Sequence, residues 1–319
     1  MRRFIFLTLL CATVVTAQQS SVSDTTSVDI NGNRVQDGPQ VTHTKSDGTS
    51  ETTETMQSIN GRMVPLERVV EHVLRDDASG RVVERLIHQY DQQGNPTAPI
   101  KQTIEEQKRS DGSTSVQTTT YRGDINGGLQ LIEKSVTDTH KSDSTETSDT
   151  VVERPNINGG LDTVEKRDEV KVLQPNGGYQ SETTTYRDNG SGGFYLAVRE
   201  TDQHTQQGAQ STDNRAEYEA GPAGSMQLHS QSVTNTVTRA DGSKDTTVDL
   251  YGRNVPGTVD ASDSPLQLFE RQHIEQTPGP NKSVTETLSV QRPTVSDPGS
   301  LGPVQQISQT VCKGNCKKQ

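Results

Sequence analysis

Apolar residues in this chain come mostly one or two at a time, set into long stretches of Ser, Thr, Gln and Asp. Within segments such as Leu129-Gln-Leu-Ile-Glu-Lys-Ser-Val and Phe194-Tyr-Leu-Ala-Val they alternate with other residues. That period of two is the signature of half-buried β-strands. By alternation, Phe194, Leu196 and Val198 share one face. Thr-rich runs precede these segments: Ser115 to Arg122, Ser181 to Arg187 and Asp245 to Tyr251. Thr and Val are stiff at the first side-chain torsion and sit well on a pleated surface. Residues 64–90 also carry a helical spacing at Leu66, Val69, Val70, Val73 and Leu74, behind Pro65. The equivalent segments later in the chain alternate, so strands are expected here too.

Turn signals punctuate the strands at a regular interval. Asp47-Gly48, Ser79-Gly80, Asp111-Gly112, Ser142-Asp143, Asn176-Gly177, Gln207-Gly208, Asp241-Gly242 and Gly279-Pro280 follow one another 31 to 37 residues apart. A second turn falls between them, written Ile-Asn-Gly at residues 59–61, 125–127 and 157–159, with an isolated copy at 30–32. Asn-Gly and Asp-Gly tolerate the positive φ of type I′ hairpin turns. The expected fold is therefore all-β: a repetitive antiparallel meander of about eight two-stranded repeats of ~32 residues, some sixteen strands, in an extended or layered sheet. One repeat buries too few aliphatic side chains to fold alone, so neighbours must stack.

One segment breaks the pattern. Arg2 and Arg3 precede an apolar stretch from Phe4 to Val15, and Val15-Thr16-Ala17 supplies small residues. This is the form of a secretory signal, with cleavage expected after Ala17. The stretch falls short of the ~20 residues that cross a bilayer. The expected organisation is a signal peptide at 1–17, a polar flexible leader at 18–40, the β-repeat region at 41–311, and a basic tail at 312–319. No transmembrane segment is expected in the mature chain. Its place would be secreted, extracellular or periplasmic. In such an oxidising compartment Cys312 and Cys316 would close a small disulfide loop.

Composition narrows the function. Hydrophobic residues make up 27% of the 319 and aromatic residues 3%, with no Trp. Leu, Ile, Val and Phe together stay under a fifth of the chain, near the border of disorder. A large aromatic core is excluded, and most enzyme folds of this length with it. A net charge of −11 argues against nucleic acid as a partner. The seven His stand singly, and no metalloprotease, nucleophile-elbow or phosphate-loop motif occurs. No catalytic residue and no cofactor is expected. Asp29-Ile-Asn-Gly and Asp124-Ile-Asn-Gly place oxygens as a weak calcium loop would, yet lack the acid at the twelfth position.

These features point to a secreted non-enzymatic repeat protein with a structural, adhesive or matrix role, contacting an extracellular polymer or associating with itself through open sheet edges. The alternatives are an exported disordered polypeptide that orders on assembly, and a carbohydrate-binding module. In the last, Tyr121, Tyr186, Phe194 and Tyr251 are the candidate ligand-facing aromatics. A membrane barrel fits the strand number but not the chemistry, since lipid-facing positions must be apolar.

Overall fold

A computed structural model describes residues 17–29, 33–124, 127–221, 224–253, 265–294 and 297–314. The first 16 residues, which hold most of the expected signal, lie outside these.

The chain opens with β1 (Ala17–Val28) and a short β2 (Arg34–Gln36). Eight hairpins follow: β3 (Gln40–Ser46) with β4 (Ser50–Ile59), β5 (Arg62–Asp77) with β6 (Gly80–Gln89), β7 (Ile100–Lys108) with β8 (Thr114–Gly123), and β9 (Leu129–Ser142) with β10 (Thr145–Pro155). The remaining four pair β11 (Leu161–Leu173) with β12 (Tyr179–Asp188), β13 (Phe194–Gln207) with β14 (Gln210–Ala220), β15 (Met226–Thr238) with β16 (Lys244–Gly252), and β17 (Gln267–Pro278) with β18 (Val284–Gln291). A small hairpin, β19 (Pro293–Thr294) with β20 (Asp297–Leu301), leads to the last strand, β21 (Gln305–Gly314). Each of the eight turn signals read from the sequence sits at the tip of one hairpin. Residues 64–90 are strands, β5 and β6.

The sheet does not stay extended or layered. From β3 to β18 each strand pairs antiparallel with the next, and β21 pairs with β18 on one side and β1 on the other. Strand β1 then pairs with β3, closing an 18-stranded barrel. A ninth hairpin is in effect split between the two ends of the chain. This corrects two expectations. The open sheet is a ring, because right-handed twist carried through eight hairpins brings β18 round to β3 with space for two strands. The supposed flexible leader is the strand that closes it. Ser and Thr pair well across strands, although Ser20-Ser-Val-Ser-Asp-Thr-Thr carries no apolar alternation to announce a strand. Likewise Cys312, Lys313 and Gly314 belong to β21 and not to a free tail.

Register assigns two faces. Ser21 and Ser23 of β1 face Thr42 and Gln40 of β3, and Ser23 faces Cys312 of β21. Followed round the ring, this face includes the buried Val64, Val83, Thr185, Glu270 and Val290. It is the inner face, where concave curvature crowds side chains. The opposite face carries the exposed Met63, Leu129, Val170, Val172 and Val237. Hydroxyl pairs bridge strands on the inner face: Thr25 with Thr310, Thr44 with Thr53, Thr137 with Thr150, Thr139 with Ser148 and Thr236 with Thr246, at 2.9 to 3.3 Å. Only Val64, Val83, Ala197 and Val290 are buried hydrophobic residues among those described. The chain exposes 20966 Å², against about 13,000 Å² for a compact protein of its mass. It builds wall, not core.

A ring of β-bulges marks one rim. Register shifts fall at Thr55/Met56, Thr120/Tyr121, Val152/Glu153, Thr185/Tyr186, Glu217/Tyr218 and Leu250/Tyr251, each between one hairpin and the next. Bulges sharpen twist and recur at barrel rims. The bulge at Thr185/Tyr186 also moves Val198 to the inner face while Phe194 and Leu196 stay outside, so the three do not share a face. Turn chemistry differs as well. Asn60-Gly61, with φ 52° and 77°, is the two-residue turn expected. At Asn156–Gly160 and Gln174–Gly178 the chain instead makes a type I turn closed by a Gly at positive φ, which gives two hydrogen bonds per turn.

Candidate functional site

The four aromatics singled out from the sequence do not converge. Tyr121, Tyr186 and Tyr251 occupy equivalent places in the bulge ring, each paired across strands with a leucine: Leu131, Leu196 and Leu268. They lie on the outer face of β8, β12 and β16, several strands apart. Phe194 is near Tyr186 on the neighbouring strand, with Lys166 Nζ 4.5 Å from its ring centroid. Tyr218 is a fourth member of the ring, paired with Leu228. Sequence reading passes over it because Asn214-Arg-Ala-Glu-Tyr218 is not Thr-rich. Cys312 is disulfide-bonded; Cys316 lies outside the described residues.

The inner face bounds a cavity of about 340 Å³ under the seam. Its lining comes from β1, β3, β4, β16, β17, β18 and β21, and is dominated by hydroxyl and carboxamide groups such as Gln19, Ser21, Thr42, Thr44 and Gln276. Lys244 and Glu286 are the charged residues in that lining. Such a wall donates and accepts hydrogen bonds along its length.

A second inner-face feature lies on β11 to β14. Tyr179 and His204 pair across β12 and β13 with rings stacked at 5.4 Å. The Tyr179 hydroxyl donates to Asp202 Oδ2 at 3.0 Å, and His204 Nδ1 lies 2.6 Å from Asp213 Oδ1. Lys171 Nζ stands 4.0 Å from the Tyr179 ring centroid. Burial first, and the hydrogen bond to Asp202 second, push the Tyr179 phenol up to about 12. It therefore remains protonated, a donor and not a nucleophile. The cluster ties four strands together, and neither the Tyr nor the His stood out among scattered polar residues.

On the opposite face, β11 to β15 form an open groove of about 640 Å³ with Tyr218 at its wall. Its floor is polar, with Gln180, Gln203, Asn214 and Gln231 among the lining residues.

Among the described residues no group of three His, Cys, Asp or Glu is placed to hold a metal. In the two calcium-like turns the leading carboxylates serve the backbone. Asp29 Oδ1 accepts from the Asn33 N–H at 2.8 Å, and Asp124 Oδ1 from the Gly128 N–H at 2.7 Å. No protein-family model matches this sequence, and no curated protein matches it.

Proposed function

We propose that this is a secreted, non-enzymatic repeat protein with a structural or adhesive role in an extracellular matrix or envelope. One observation supports the reading most: eight polar hairpins and a seam spend nearly all their residues on a closed wall with two wet faces. Catalysis generally needs a water-poor pocket in which shifted groups converge, and this architecture favours exposed surface instead. The outer face also suits an aqueous setting. Arg68, Lys134, Asp168 and Arg199 stand at mid-strand on β5, β9, β11 and β13, where a bilayer would demand apolar side chains. No described helix is long and apolar enough to cross a membrane. Closure changes the expected mode of association. With every barrel strand paired on both sides, edge-to-edge pairing has no free edge to use, so contacts to a polymer or another molecule would run through side chains.

The test is fractionation of the producing cells, with N-terminal sequencing of the recovered chain. Recovery with matrix or envelope material, beginning at Gln18, is the expected result. A cytosolic chain that retains Met1 to Ala17 would overturn the proposal.

A further inference from the structure

The groove on the outer face of β11 to β15 has a chemistry that points to its occupant. Register sets Gln180, Gln203 and Asn214 directly opposite one another on three adjacent strands. Gln231 adds a fourth carboxamide and donates to Asn214 Oδ1 at 2.9 Å. Neighbouring strands are ~4.8 Å apart, so these groups form a ladder across the groove. Each carboxamide offers both a donor and an acceptor, the complement of a run of hydroxyls. At the wall, Tyr218 supplies a flat ring with a polar tip. Arg199 holds that ring, with its guanidinium carbon 4.5 Å from the centroid and its Nε buried without a hydrogen-bond partner. Val170 and Val172, 46% and 42% exposed, supply apolar surface on β11.

Two other classes of ligand fit poorly. Asp168 and Glu182 place carboxylates along the groove, and the Arg199 guanidinium is engaged with the Tyr218 ring, which disfavours a polyanion. An extended peptide usually binds by adding a strand to a free sheet edge, and β11 to β15 are each paired on both sides. We propose that this groove binds a neutral polysaccharide chain, with the carboxamide ladder reading its hydroxyls and Tyr218 lying against a sugar face. This goes beyond the structural role proposed above, and its test is independent of where the protein is found.

The experiment is affinity electrophoresis and calorimetric titration of the exported chain with soluble laminarin, xyloglucan, galactomannan and dextran, with polygalacturonate as the anionic comparison. At least one neutral polymer is expected to retard the protein. Tyr218→Ala and Gln203→Ala are each expected to weaken that binding tenfold or more. Tyr121→Ala, at the equivalent place in the bulge ring but outside the groove, is expected to leave it unchanged. Circular dichroism checks that each variant retains its β spectrum, and Gln203→Ala carries the test if Tyr218→Ala does not fold. Binding to none of the neutral polymers, retention by polygalacturonate alone, or equal losses in the Tyr121 and groove variants would each overturn the proposal.

Discussion

Thr25 and Thr310 stand with their hydroxyl oxygens 2.9 Å apart although 285 positions separate them in the chain. They mark the seam, where the first strand meets the last, and every other contact between adjacent hairpins is local by comparison. Closing a loop of that length costs entropy that grows only slowly with length, but it is spent before any seam contact forms. The eight hairpins are therefore expected to form before β1 and β21 meet.

A proline in β1 tests this. Val22 faces Lys313 of β21 and Val41 of β3, within the stretch of β1 that is paired on both sides. Whichever way its N–H points, Val22→Pro removes a ladder hydrogen bond and leaves a carbonyl unmatched, a cost of about 1–3 kcal/mol. The larger consequence is topological, because an opened seam exposes the edges of β3 and β21. Light scattering coupled to size exclusion should show the variant as higher-mass species while the far-UV spectrum remains β. A monodisperse variant of unchanged mass would mean that the seam does not guard against association.

The repeat was legible because its punctuation is chemical. Asp-Gly and Asn-Gly pairs occur where hairpins require them, and Thr-rich runs lie between. Closure was not legible, because it depends on accumulated twist and on a leader whose Ser and Thr residues pair without an apolar stripe. The helical spacing around Leu66 to Leu74 has a specific origin. The register shift opposite Thr55/Met56 makes Leu66 an extra residue in β5, and a second shift follows Val73. Two bulges turn a period of two into an apparent period nearer four. The groove was hidden for a different reason: Asn214, Ala216 and Tyr218 alternate regularly on β14 opposite Gln203, Thr201 and Arg199, but the polar neighbours give that alternation no apolar stripe.

Acid should loosen the hairpin tips. Asp111 accepts the Ser113 hydroxyl at 2.7 Å and the Ser113 N–H at 2.9 Å, and Asp241 does the same with Ser243. These hydrogen bonds, the hydroxyl's first, hold both carboxyls below their ordinary value of 3.8. A depressed folded pKa contributes stability that is complete above the unfolded pKa and is lost as pH falls through the folded one. The melting temperature should therefore hold from pH 7 to about 4.5 and fall below ~4. The double variant Asp111→Asn, Asp241→Asn should melt lower at pH 7 and decline less steeply in acid. A variant that keeps the full acid slope would place the titration elsewhere.

At the alkaline end the sign reverses. The Tyr179 phenol, raised to about 12 from 10.0 by burial and then by its bond to Asp202, stabilises the fold only while protonated. Its contribution is full below pH 10 and lost as pH rises from there through 12. Absorbance at 295 nm should show one of the seven tyrosines ionising late, and Tyr179→Phe should remove that late phase. If all tyrosines titrate together near pH 10, the stacked Tyr179–His204 pair does not persist in solution.

Asp249 and Arg271 provide a test of asymmetry. The Asp249 side chain is 12% exposed and accepts from Arg271 Nε at 2.5 Å and Nη2 at 2.7 Å, whereas the Arg271 side chain is 36% exposed. Removing the carboxylate leaves a guanidinium that water can reach. Removing the guanidinium leaves a charge facing little water. Arg271→Ala should therefore cost more, roughly 2–4 kcal/mol, and Asp249→Ala about 1–2 kcal/mol, both below the full figure for a buried pair because Arg271 is partly solvated. The double variant should be no less stable than Arg271→Ala alone, since it removes the stranded charge along with its partner. Chemical denaturation of the three variants reads these differences directly. Equal losses in the two single variants would mean that water already reaches Asp249, and that the wall between β16 and β17 is more open than its packing implies.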